Sequence, residues 1–152
     1  PHEVQGLAAT LGVVKREGWR REKLRANAAL LRAHLDELGY NLNDSQSQIV
    51  SLESGTEQQT IVLREALESR GIFGSIFCAP ATPRNRSLMR FSVNAALTDA
   101  ELERIVAVCR EIRDEVDLAS WPSTRRKLRG KSQPATAAKG RMKLAPGQVA
   151  AA

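Results

Sequence analysis

The sequence predicts an α/β chain of the α+β kind, with a short, largely antiparallel sheet and helices packed on one face. Three observations predict it. Apolar residues recur at spacings of three and four in several segments, the helical period. Three other segments are too short for helices and are β-rich or alternate apolar with polar. The resulting order, helix–helix–strand–helix–strand–strand–helix, fits helices laid over one small sheet.

The first helix is expected over residues 3–17, where Val4, Leu7, Ala8, Leu11 and Val14 share a face and Gly18 acts as a stop. A second runs over 19–38. Trp19, Leu24, Ala28, Leu31, Leu35 and Leu38 form its apolar stripe, and Gly39 ends it. The segment SQIVSLES (47–54) reads as a strand. Ser54 and Glu57 have the S-x-x-E spacing of a capping box, opening a helix over 56–70 that closes at Gly71. GIFGSIFCA (71–79) follows as a strand, and a proline-bracketed loop over 80–87 turns the chain. LMRFSVN (88–94) returns as a strand. Thr98 and Glu101 repeat the capping-box spacing and open a last helix reaching about residue 116, with Leu102, Ile105, Val106, Cys109 and Ile112 on its buried face.

At 152 residues the chain is one domain by length, and small for a self-sufficient two-substrate enzyme. It contains no run of apolar residues long enough to cross a bilayer, and no signal peptide pattern at its start. It begins at Pro1, inside a helical pattern, so it is expected to be cut from a longer chain. Cys78 and Cys109 offer neither a zinc spacing nor a disulfide framework, and a reducing cytoplasm is the expected compartment. No metal site is expected, since His2 and His34 lack ligand spacing.

The formal charge of +6 is unevenly spread. Residues 121–152 carry eight Lys/Arg and no Asp/Glu, which leaves 15 basic against 17 acidic residues in 1–120. The body is therefore mildly acidic. A folded unit over 1–118 and a disordered basic tail over 119–152 are expected. A solubilising extension is the favoured reading of that tail, and a nucleic-acid role is disfavoured.

Alternation puts Met89, Phe91 and Val93 on one face of strand 88–94, and Arg90, Ser92 and Asn94 on the other. Arg90 thus turns away from the helix-covered core. A guanidinium held on a strand suits bidentate capture of a carboxylate, because its planar fork matches the two oxygens. A solvated arginine is the ordinary alternative. Arg84 and Arg86 are candidates for nucleotide phosphates, or simply exposed loop arginines. Ser47 and Gln48 read as a polar strand entry.

The stretches GLAATLGVV, EGWRREKLRANAALLRAHLDELGY and SQIVSLESG through AVCREI resemble the C-terminal part of the α-oxoamine synthases. The resemblance covers about residues 6–116. Within that group GIFGSIFCAPATPRNRS is most similar to the α-hydroxyketone quorum-sensing autoinducer synthases. The resemblance implies the C-terminal small domain of a pyridoxal-phosphate-dependent transferase fold. It also implies an acyltransferase that condenses an amino acid with an acyl-CoA to an aminoketone, as a homodimer. By position Arg90 would bind the substrate carboxylate, and Cys78 would line the acyl pocket. No catalytic residue is expected in this chain. The family needs a lysine for the cofactor Schiff base, and the only lysines in 1–120 are Lys15 and Lys23, outside any Ser-Lys, Gly-rich setting. A stand-alone α/β binding or oligomerisation module, with its basic tail on anionic partners, is the alternative.

Overall fold

A computed structural model of the chain describes residues 2–122. The element order is as expected: α1 (His2–Arg16), α2 (Gly18–Glu37), β1 (Ile49–Gly55), α3 (Glu57–Glu68), β2 (Ser75–Phe77), β3 (Ser87–Ser92) and α4 (Asp99–Glu111). The three strands form one antiparallel sheet in the order β1-β3-β2, so the Arg90 strand is central.

Register explains how the core forms. Val50 stands opposite Phe91 and Leu52 opposite Met89. These four side chains share a face and are buried in one cluster with Leu31 and Leu35 of α2, Leu63 and Leu67 of α3, and Leu102 and Cys109 of α4. Three helices therefore cover a single face of the sheet. Each leucine so buried contributes about 1.5–3 kcal/mol relative to exposure.

Two helices end by the same device. Gly39 (φ 92°) follows α2 and Gly71 (φ 76°) follows α3, in a backbone region that disfavours side chains. The next residue's N–H then reaches back to the helix, Tyr40 to the Leu35 carbonyl and Ile72 to the Leu67 carbonyl, both at 3.0 Å. Tyr40 and Ile72 are both buried, so each stop also plants a core side chain.

Several expectations need correction. The capping box of α3 is Thr56 with Gln59, not Ser54 with Glu57. β1 continues through Gly55, and Ser54 is a buried strand residue whose hydroxyl lies beside the Thr60 hydroxyl and the Ser87 carbonyl. Gly18 opens α2 instead of stopping a helix, because the break falls on Glu17. The strand expected over 71–79 is only three residues long. Thr98 and Glu101 do form the expected box at α4.

The folded body also runs past the expected 118/119 boundary. Leu118–Ser120 make a single 3-10 turn, and Trp121 is buried with its indole N–H donating to the Val116 carbonyl at 3.0 Å. Trp121 meets Tyr40 edge-on, ring centroids 5.6 Å apart, and Asn41 Nδ2 donates to the Pro122 carbonyl. The rest of the expected tail, 123–152, lies outside the described residues.

α1 buries none of its residues. Val4 (69 %) and Leu7 (71 %) stand in solvent with Leu11 and Val14, and Trp19 at the start of α2 is also exposed. Among the described residues no helix is long and apolar enough to cross a membrane.

Candidate functional site

The site is built on the sheet face that the helices leave uncovered. Arg90 is paired with Ser51 of β1 on one side and Ser75 of β2 on the other, so two strands fix its backbone. Phe77 lies two residues beyond Ser75 and so on the same face. Its ring carries the guanidinium, with Arg90 Cζ 4.1 Å from the ring centroid. Such a contact is worth about 0.5–2 kcal/mol and leaves the outer N–H groups in place for an anion. Arg90 Nε is buried and has no hydrogen-bond partner among the described residues.

The close approach of β2 to β3 depends on Gly74. A Cβ there would lie 2.7 Å from Met89 Cε and 2.9 Å from the Arg90 carbonyl oxygen. Only glycine lets the backbone run so near the strand that holds Arg90.

A second arginine sits on the loop before β3. Arg86 donates from Nε to Glu53 Oε1 (3.1 Å) and from Nη2 to Glu53 Oε2 (2.9 Å), and Nη2 also reaches Asn43 Oδ1 (3.0 Å). Glu53 is only 4 % exposed, so this carboxylate depends on the pair for its solvation. The hydrogen bond to Glu53 raises the Arg86 pKa further above its ordinary value. Arg86 is therefore not the free loop arginine considered above as a phosphate ligand. Arg84 is exposed.

Cys78 follows Phe77 directly and is half-buried, with its carbonyl accepting from the Thr82 N–H at 3.2 Å. Cys109 lies in the core at 0 % exposure, and burial pushes its thiol up to about 12. His34 sits on α2 beside Glu37, and His2 is exposed on α1. Ser47 and Gln48 serve the backbone: the Ser47 carbonyl accepts from Arg32, and the Gln48 carbonyl from the Val93 N–H. Among the described residues no three His, Cys, Asp or Glu side chains gather to hold a metal ion.

Pyridoxal phosphate requires a lysine amine for its aldehyde and a carboxylate at its ring nitrogen. The described lysines are Lys15, exposed on α1, and Lys23, half-buried on α2; neither is on the Arg90 face of the sheet. These residues do not fit as a holder of that group. What the site can do is orient a small anion.

The sequence places Arg90 on the uncovered face, where the structure also has it, and gives no sign of its neighbours Phe77 and Gly74 or of the Glu53 and Asn43 partners of Arg86. Strand parity could have paired Phe77 with Arg90, given the register. Nothing local pairs Arg86 with a residue 33 positions earlier.

A family model described as aminotransferase class I and II matches residues 4–108. The chain is 37 % identical over 118 residues to the CAI-1 autoinducer synthase of Vibrio campbellii, covering 78 % of this chain and 30 % of that protein. It is 34 % identical over 117 residues to the 8-amino-7-oxononanoate synthase of Thioalkalivibrio sulfidiphilus, covering 76 % and 30 %. A solved serine palmitoyltransferase with pyridoxal phosphate superposes with a TM-score of 0.62 at 27 % identity, over 64 % of this chain and 25 % of that one. The chain thus spans about 30 % of the length of the curated relatives it matches.

Proposed function

This chain belongs to the aminotransferase class I and II family, and on that premise we propose that it is the C-terminal part of a pyridoxal-phosphate-dependent acyltransferase. The enzyme condenses an amino acid with an acyl-CoA to an aminoketone, for α-hydroxyketone autoinducer synthesis. It works in the cytoplasm as a homodimer. Residues 2–122 form its small domain, and Arg90 binds the amino-acid carboxylate.

One observation carries the reading: a strand-held guanidinium, propped on Phe77, with a buried Nε that no described group satisfies. A planar carboxylate completes such a fork with two charge-assisted hydrogen bonds. The cofactor would supply electron withdrawal toward the amino-acid α-carbon. Its attachment belongs to the remainder of the enzyme, since the described lysines lie on other faces. The likeness to the CAI-1 synthase supports the acyl-CoA class of partner. Cys78, small and half-buried beside Phe77, lines the acyl pocket. The exposed apolar face of α1 is suited to packing against the large domain of the same enzyme.

The test is kinetic. In the full-length enzyme Arg90→Ala raises KM for the amino acid about 100-fold, as loss of two charge-assisted bonds demands, and leaves KM for acyl-CoA nearly unchanged. Unchanged amino-acid affinity would end this reading.

A further inference from the structure

Glu53 is held by one arginine, Arg86, and lies diagonally across the sheet from a second, Arg90. Ser51 stands opposite Arg90, so Glu53, two residues along β1, is the diagonal neighbour of Arg90 on the same sheet face. Long side chains meet across that diagonal. Yet both Glu53 oxygens are taken by Arg86, and Asn43 holds the outer nitrogen of that guanidinium. Arg90 rests instead on Phe77.

We infer that Arg86 is a positioning residue: by occupying the buried Glu53 carboxylate it keeps Arg90 from forming an internal ion pair, and so leaves the Arg90 guanidinium available for the substrate carboxylate. The inference rests on the reading of Arg90 as the carboxylate ligand. Without Arg86 the buried Glu53 loses its partner cation, and among the described strand residues Arg90 is the cation on the same sheet face, at the diagonal position that a long side chain spans. A substrate carboxylate would then have to displace an intramolecular one. Competition of this kind weakens binding of the amino acid and leaves the later chemical step alone.

The experiment uses the full-length enzyme, with equilibrium dialysis of radiolabelled amino acid beside steady-state kinetics. Arg86→Met is expected to raise the dissociation constant and KM for the amino acid about tenfold or more, with kcat within about threefold of wild type. Adding Glu53→Gln removes the competing charge, and the double variant E53Q/R86M is expected to bind the amino acid within about threefold of wild type. A loop-anchoring role alone predicts the opposite for the double variant, which lacks the anchor entirely. Affinity as weak as in Arg86→Met, or an Arg86→Met enzyme with wild-type affinity, overturns the inference. Should Arg86→Met not fold, Arg86→Gln, which keeps a hydrogen-bond donor for Glu53 without the charge, takes its place with the same outcomes deciding. Arg90→Ala runs in parallel. If that variant binds the amino acid normally, the carboxylate reading has failed; if it loses binding while E53Q/R86M fails to recover, only the positioning role has.

Discussion

Arg90 lies over Phe77, its guanidinium carbon 4.1 Å from the ring centroid, while four residues earlier Arg86 is bound through two parallel hydrogen bonds to Glu53. Among the described residues one arginine is thus paired with a carboxylate, while the other is propped on a ring with its Nε unpartnered. The sheet brings both about, because β3 is central and offers its polar face to β1 and β2 together.

Replacing the prop separates orientation from charge. Phe77→Leu keeps an apolar side chain under Arg90 and removes the ring face. KM for the amino acid is expected to rise about threefold to tenfold, in line with 0.5–2 kcal/mol for the contact, with little change in kcat. Steady-state kinetics checks this, and a KM at the wild-type value would show that the ring only fills space.

Gly74→Ala tests the close strand approach. The added methyl would meet the Arg90 carbonyl, which is backbone and cannot rotate away. Destabilisation of about 1–3 kcal/mol is expected in urea unfolding, as for other overpacked sites. Equal midpoints for variant and wild type would mean that β2 can shift freely.

At α4 the cap carries a pH dependence. Backbone and hydroxyl donors of Thr98 hold the Glu101 carboxyl below its ordinary value of 4.5. A carboxyl depressed on folding stabilises above its unfolded value, and that stability is lost as pH falls from about 4.5 through the lowered one. Thr98→Ala is expected to cost about 1 kcal/mol at pH 7. Glu101→Gln still accepts from Thr98 but cannot titrate, so its unfolding midpoint should fall less between pH 6 and pH 3, by roughly the share this one group holds. Denaturation over that range decides it.

The two cysteines should part company under alkylation. Cys109 is sealed in the core with its thiol pushed up to about 12, so almost none is thiolate at pH 8. Cys78 is half-buried at the end of β2. Mass spectrometry of the native protein after brief iodoacetamide treatment should find label on Cys78 first, with Cys109 labelled only after denaturant. Equal early labelling would contradict the packing of α4.

What can be read from the chain alone is local. Element order, the glycine stops at Gly39 and Gly71, the Thr98 box and the outward turn of Arg90 all follow from backbone φ preference, capping chemistry or the two-residue period of a strand. Each depends on neighbours within a few positions, so the chain alone states it. The resemblance of residues 71–93 to a known group came from the same source.

Features that need a distant partner emerge only in the folded chain. S-x-x-E at Ser54 and T-x-x-Q at Thr56 are both plausible boxes, and the choice went to Thr56 because β1 pairs with β3 as far as Gly55 and draws Ser54 into the core. Trp121 joined the folded body because Tyr40, 81 positions earlier, offers it an edge. Arg86 and Arg90 look alike in RNRSLMR. Only the antiparallel register, which sets Glu53 beside one and Phe77 beneath the other, assigns them different work.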